Sequence, residues 1–528
     1  MRIQATTRLG VVGVLLLAAV AACNNDLTVQ PKSTITSANI FNDTASYRAF
    51  LAKLYAGLVV TGQSGPDGNP DIGGIDEGFS QYVRGYWQLQ ELPTDEAIIG
   101  WGDIGLPELN IQTWSSSNPF VTAMYSRIFY QVALGNQFLR ETTDEKLAAR
   151  GTSASLTTRV HQYRAEARFL RALSYWHALD LFGNVPLVDE NFDISQLPKQ
   201  ATRTDVFSFV ESELKAILAQ LPTTKGGEYG RADQAAVNMV LAHLYLNAKV
   251  YTGTDRSTDA RAAVEKVISS GAYSLDPTFR RMFSANNNTS PELIFAVPQD
   301  GVHTRTWGGM TYLVHAGVGG NMNATSFGID GGWWGLRLRP ETVDRYEGGA
   351  GGPDHRTSFF FTDGQTKTIT DIGNFQQGIG APKYTNVTTG GQAGSNATFP
   401  DTDYPMFRLA DAYLVYAEAV LRGGGGDRAT ALGYVNAIRE RAYGGAAGDI
   451  TDAQLTLPFI LDERSRELLW EGFRRQDLIR FGQFTDAGIW TFKGGAPLGK
   501  LTQSFRNLYP IPANELSANP NIKQNPGY

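Results

Sequence analysis

The sequence predicts a mainly α protein: a tetratricopeptide-like superhelix of paired helices, with a loop-rich, partly β-containing C-terminal region. Three observations lead there. Apolar residues recur at helical spacing in segments that arrive in pairs. Three first members share a texture with small residues at set positions: Phe169–Tyr175, Val240–Tyr245 and Leu414–Ala419. Small residues let antiparallel helices approach closely, the logic of stacked helical repeats. Third, from 276 to 403 the chain turns to Gly, Asn, Thr and aromatics, with β-rich runs at Leu293–Val297, Phe359–Thr362 and Thr366–Thr370. The repeat spacing is irregular, so the period by itself also fits a generic helical bundle.

Taken in order, Tyr47 to Leu58 carries Tyr47, Phe50, Leu51, Leu54 and Leu58 on one face and predicts a helix, and Thr61 to Gly78 is Gly/Pro/Asp-rich loop. Phe120–Leu139 and Val160–Phe182 predict the next helices. The latter is stopped by Gly183, with Pro186 preventing a restart. Asp205–Leu221 ends at Pro222, and Ala232–Tyr251 pairs with Thr258–Ser270. Helices return at Phe407–Leu421, Arg428–Arg441 and Leu457–Phe481. The Pro-rich tail Tyr509–Tyr528 should hold no regular helix. Residues 23–275 are thus expected as the N-terminal helical region. Residues 276–528 are expected as a C-terminal region with its insert at 276–403 and returning helices at 407–481.

Cys23 is the single cysteine among 528 residues. Arg2 and Arg8 precede an apolar stretch from Leu9 to Ala22, too short to span a membrane. Leu17, Val20, Ala21 and Ala22 stand before Cys23, a pattern that resembles the bacterial lipobox. It implies a signal peptide over 1–22 and a lipidated Cys23, carrying acyl chains such as palmitate, that anchors the chain to a membrane without crossing it. An ordinary signal peptide with an incidental cysteine is the alternative. Asn24 to about Asn39 reads as a tether that then lies against the body.

With Cys23 lipidated, no thiol remains for a disulfide, metal site or nucleophile. The formal charge of −6 becomes about −8 once Arg2 and Arg8 are removed, so nucleic acid is a poor partner. The histidines at 161, 177, 243, 303, 315 and 355 form no zinc-protease pattern, and no Gly-x-Ser-x-Gly elbow exists. No catalytic constellation, cofactor or metal site is expected, although acidic Gly-rich loops leave a calcium ion open.

Four segments then carry a family resemblance: Ala165–Ala172 continuing to Leu181–Leu187; Arg408–Ala419; Glu463–Leu468 with Glu471–Leu478; and Tyr509–Pro512 through Gln524–Tyr528. Together with the lipobox they resemble the SusD/RagB family of outer-membrane nutrient-binding lipoproteins, from end to end. The resemblance implies the helical frame, a sugar site formed between a loop of the first half and the loop-rich second half, and a TonB-dependent transporter barrel as partner. It implies cell-surface exposure at the outer membrane, and the lack of a legible catalytic constellation speaks against an enzyme. The Glu/Arg segment 463–480 reads as a charge network through Glu463/Arg466, Glu471/Arg474 and Asp477/Arg480. Asp354–His355–Arg356 reads as a loop anchor.

Aromatic rings suit the C–H faces of sugars, and Asn, Asp, Gln and Arg suit their hydroxyls. Two loop regions combine both. The first runs from Tyr86–Trp87 to Trp114 and holds Asp95, Glu96, Trp101, Asp103, Asn110 and Gln112. Trp87 and Trp114 are expected in the core, and Trp101 between Gly100 and Gly102 at the surface. The second runs from Trp307 to Trp334 and holds Tyr312, Asn321, Asn323, Asp330 and Trp333. The candidate ligand residues are Trp101, Asp103, Trp307, Tyr312, Asn321, Asn323, Trp333 and Trp334, with one ring of the 333–334 pair expected to be structural. The expected cargo is oligosaccharide, with peptide or another nutrient as the alternative. A structural lid that binds nothing tightly is a different reading, and an isolated glycoside hydrolase, which reducing-sugar release by the pure protein would reveal, is the last.

Overall fold

The computed structural model describes residue 41 and residues 43–63, 65–66 and 70–528. Cys23, the signal segment and the tether lie outside these described residues. Met1–Tyr47 and Arg48–Tyr528 are two separate units. Within the first, Ser46 N donates to Asp43 Oδ1, a turn at the head of helix α1 (Thr44–Ala56).

The frame of the second unit is a row of helices in which each packs on the next. Helix α2 (Tyr82–Glu91) lies beside α4 (Pro119–Glu141), which follows the short α3 (Leu106–Ile111). After α5 (Asp144–Ala149), helix α6 (Ala154–Leu181) packs on α4 and on α7 (Arg203–Ile217). Helix α8 (Gln234–Leu246) continues after a break as α9 (Ala248–Thr252) and packs on α10 (Ser257–Ile268). Side-chain caps start these helices: Asn118 accepts from Phe120 N and Val121 N, Thr202 and Asp205 form a capping box, and Asp233 accepts from Ala236 N. Ala167, Ala172 and Ala178 are buried in the α6 seam, beside Phe169, Leu173, Trp176 and Leu179.

Small sheets from both halves of the chain complete the frame. Strand β1 (Ala97–Ile99) pairs antiparallel with β5 (Leu336–Leu338), Ala97 opposite Leu338, and β5 pairs with β6 (Ile379–Gly380). Strands β2 (Val185–Pro186) and β3 (Gln200–Ala201) form a two-stranded pair, as do β4 (Leu293–Val297) and β7 (Tyr404–Arg408). Between them lie α11 (Gly309–Ala316) and α12 (Pro340–Asp344). Helices α13 (Leu409–Leu421) and α14 (Arg428–Tyr443) extend the row beyond α10.

Several expectations are corrected. The helix expected from Phe407 begins at Leu409, because Tyr404–Arg408 is strand β7. The single helix expected over Leu457–Phe481 is two, α15 (Leu457–Glu467) and α16 (Arg474–Arg480). Trp470 and Gly472 between them are left-handed (φ 59° and 83°). The turn is secured by partners far away in sequence: Gly472 N donates to Glu91, and Trp470 O accepts from Trp87 Nε1. The Ala232–Tyr251 helix breaks at Asn247, whose side-chain oxygen accepts from Arg480. The tail contains a short helix, α17 (Ala513–Ala518), placed after its last helix-incompatible neighbour Pro512. Phe359–Thr362 and Thr366–Thr370 form only isolated bridges, Phe361 to Gly380 and Thr366 to Gln377. Helix α2 escaped prediction because all ten of its residues are buried, which erases the one-sided apolar pattern.

A buried ionic network joins the returning helices to the rest. Arg408 donates to Glu292, Glu467 and Glu471; Arg356 is bonded to Asp354, Glu463 and Glu467; Arg474 donates to Asp95. Glu463/Arg466 and Asp477/Arg480 pair as expected. Glu471 and Arg474 do not pair: Glu471 takes Arg408 and Lys383 instead. Burial alone would raise the Glu463 carboxyl, but Arg356, Arg466 and Arg439 hold it down at about 2.

Candidate functional site

The loop between β1 and α3 and the segment around β5 are brought together by the β1–β5 pairing. Gly100 N donates to Gly335 O at 3.1 Å, continuing that ladder to the rim. At its base Asn110 clamps Ile99 from both sides, accepting from its N–H at 3.1 Å and donating to its carbonyl at 2.7 Å. Arg339, fully buried, donates to the carbonyls of Ala97, Asn110 and Thr491.

On this rim stand three half-buried tryptophans. The rings of Trp101 and Trp333 are 6.2 Å apart, and those of Trp333 and Trp307 are 6.3 Å apart. Neighbouring planes are turned by 53° and 48°, so the three form an arc rather than a flat wall. Each ring is seated. Trp101 Nε1 donates to Trp334 O at 2.6 Å. Trp333 stacks on the buried His315 at 4.8 Å, and Trp307 lies 5.1 Å from Phe399. His315 is itself fixed, one ring nitrogen against Gly331 O and the other against Thr398 O.

The other candidates take different places. Tyr312 is fully buried beneath the arc, edge-on to Trp101 at 5.8 Å, and burial pushes its hydroxyl up to about 12. Trp334 is 9% exposed and turned inward, its ring against Gly319, Gly320 and Gly380. It is left-handed (φ 54°), as is Gly335 (φ 108°), a turn that sends residue 333 outward and residue 334 inward. A Cβ on Gly335 would stand 2.5 Å from Trp101 Nε1, so the glycine is needed for the close approach. Asp103 is exposed beside the Trp101 end. Asn321 and Asn323 are exposed away from the ring contacts: Asn321 donates to Asp363 at 3.3 Å, and Asn323 caps the turn Ala324–Phe327.

Arg84, His315 and Phe399 complete the site and were not singled out by the sequence. Arg84, on α2, is 8% exposed; its guanidinium lies 4.4 Å over the Tyr312 ring and 5.9 Å from Trp101, and it donates to Trp307 O at 3.2 Å. Burial lowers its affinity for the proton, against the opposing influence of Tyr312, Asp76 and Asp103. No carboxylate lies within ion-pair distance of it among the described residues. Its only sequence signal would have been a cation on a helix neighbouring Tyr86–Trp87, which is too common a pattern to select it.

This arrangement offers apolar ring faces, with a buried cation beneath them and an exposed carboxylate beside the Trp101 end. Among the described residues no group of three or more His, Asp or Glu is placed to hold a metal ion.

The SusD family profile matches residues 364–528. The starch-binding protein SusD of Bacteroides thetaiotaomicron is 36% identical, over 97% of both chains. The chain belongs to the SusD family. A second member, SusD-like protein P2 of Formosa agariphila, is 24% identical over 98% of both chains. Among solved structures, surface glycan-binding protein A of Bacteroides thetaiotaomicron in complex with laminarihexaose superposes with a TM-score of 0.71, at 20% identity, covering 91% of this chain and 99% of that one. A SusD homologue from the same organism reaches 0.73 at 19% identity, covering 93% and 98%. These two share the fold, and the mainly helical architecture is that of the SusD family. Among the described residues no helix is long and apolar enough to cross a membrane.

Proposed function

We propose that this family member is a surface lipoprotein that captures an oligosaccharide on the Trp101–Trp333–Trp307 arc and delivers it to a TonB-dependent transporter barrel. The observation that carries the reading is the arc itself: three seated, half-exposed indoles in series, each 6.2–6.3 Å from the next. Such rings present apolar faces matched to the C–H faces of pyranose rings. Asp103 is exposed beside the Trp101 end, where it meets ligand hydroxyls, and the guanidinium of Arg84 underlies the rings. The 36% identical relative is named for starch binding, which favours a glucan as cargo. Cys23 supplies the anchor, through its diacylated thiol, at the cell-surface face of the outer membrane. Capture and handover need no covalent step, and the protein acts without catalysis.

Soluble protein starting at Asn24, applied to immobilised starch, laminarin and a peptide library, tests the reading. Retention on a polysaccharide that Trp333→Ala abolishes supports it. Retention by peptides alone replaces the cargo, and retention on nothing removes the capture role.

A further inference from the structure

The turn between α7 and α8 presents a second aromatic surface, away from the arc. Tyr229 is 49% exposed, yet its hydroxyl is tied down, donating to Asp403 Oδ2 at 2.5 Å. Asp403 is only 3% exposed, and its other oxygen accepts from Gln299 N at 2.7 Å. The next residue, Gly230, is left-handed (φ 75°), and a Cβ there would stand 2.2 Å from Pro298 Cγ. The ring is therefore held at its tip by a buried carboxylate and at its base by a close-packed turn, while one face stays open.

Two cavities meet at this ring, of 340 and 540 Å³, and both are lined by Tyr229 and Asn288. Volumes of about 300–1,000 Å³ are those of small-molecule sites. Asn288 is exposed, and its amide makes no hydrogen bond among the described residues. The larger cavity is closed on its far side by Val302, 54% exposed, and by His303, whose ring is oriented by Asp300 at 2.7 Å. A fixed ring face, a vacant amide and an oriented imidazole over a carboxylate are together the groups that one neutral pyranose engages. His303 is also four residues from Trp307, a stretch that spans at most about 14 Å. The His303 side of the second surface is therefore within about 14 Å of the Trp307 end of the arc.

We propose that Tyr229, with Asn288 and His303, forms a second sugar subsite that takes the continuation of a glycan held on the arc. The proposal rests on the glycan reading of the arc. Its contribution is one of chain length. A saccharide already bound at the arc meets Tyr229 at an effective concentration in the millimolar range, so a weak subsite tightens long chains and leaves short ones unaffected.

Titration calorimetry with maltotriose and maltoheptaose, and with laminaritriose and laminarihexaose, tests this on wild type, Tyr229→Ala, Asn288→Ala and Tyr229→Phe. The expected result is a loss of about 3- to 10-fold in affinity for the longer sugar of the bound series in both alanine variants, with the trisaccharide unchanged. Tyr229→Phe, which keeps the ring and drops its tether, should fall between. Unfolding temperatures within a few degrees of wild type establish that the variants fold. Equal binding of long and short sugars by wild type and variants overturns the subsite while leaving the arc in place. Equal weakening of both lengths also overturns it, since that reports a general disturbance. If wild type binds neither series, the glycan reading falls and the subsite falls with it.

Discussion

Two adjacent tryptophans take opposite places, one on the arc and one in the packing beneath it. Trp333 faces outward on His315, and Trp334 faces inward against Gly319 and Gly380, because residue 334 takes a left-handed conformation. Their alanine variants should therefore separate. Trp333→Ala should cost about 2 kcal/mol in glycan affinity, roughly 30-fold in Kd, with the melting temperature nearly unchanged. Trp334→Ala should cost about 3–5 kcal/mol of stability by leaving a cavity, measured by denaturant unfolding. The sequence identified the pair and that one ring is structural, but the choice between them depends on a φ angle that composition does not carry. Trp101 between two glycines was legible as exposed. Arg84 was not, since it reaches the arc through contacts with Tyr312 and with Trp307, 223 residues further along the chain.

Among the elements, the arc depends on a few polar side chains that tie loops to strand β5. Arg337 is fully buried and donates to the carbonyls of Gly335, Ile372, Asn374 and Gln377. Burial lowers its pKa to about 10, and Asp371 opposes the shift only from a distance. It thereby holds the 371–378 loop, whose Phe375 packs behind Gly100 and Gly335, under Trp101. Arg337→Met should loosen that loop and weaken glycan binding, while Trp333 keeps its seat on His315. Faster amide hydrogen exchange over residues 97–103 and 371–378, with the helical row unaffected, is the expected signature. The elements themselves were legible where one face is apolar, as in α4, α6 and α10. They were lost where burial is complete, as in α2, or where distant bonds override local preference, as at the Trp470–Gly472 turn.

For the molecule as a whole, the buried ionic network and a buried neutral histidine make stability respond to acid. His177 is fully buried, stacked on Tyr86 at 4.2 Å, and burial lowers its pKa to about 3 from 6.5. The unfolded chain then binds the extra proton below pH 6.5, so stability falls as pH drops from 6.5 toward 3. At pH 5 the loss is about 2 kcal/mol from this residue. Glu463, held at about 2, contributes stability that is full above pH 4.5 and lost as pH falls through 2. A melting series from pH 7 to pH 4 should decline, and His177→Phe should flatten its upper part. In the network itself, Glu467→Gln leaves Arg408, Arg356 and Arg441 short of a charge and should cost about 3–5 kcal/mol.

If the three-tryptophan arc is where this protein holds its glycan, removing two of its rings must abolish binding without unfolding the chain. Calorimetric titration of maltoheptaose and laminarihexaose into the soluble chain from Asn24, beside a Trp101→Ala, Trp333→Ala double variant of unchanged circular dichroism, measures this. Wild type should bind at least one of the two sugars saturably, and the variant should lose at least about 100-fold in affinity. Equal binding by both proteins would contradict the assignment and place the sugar elsewhere.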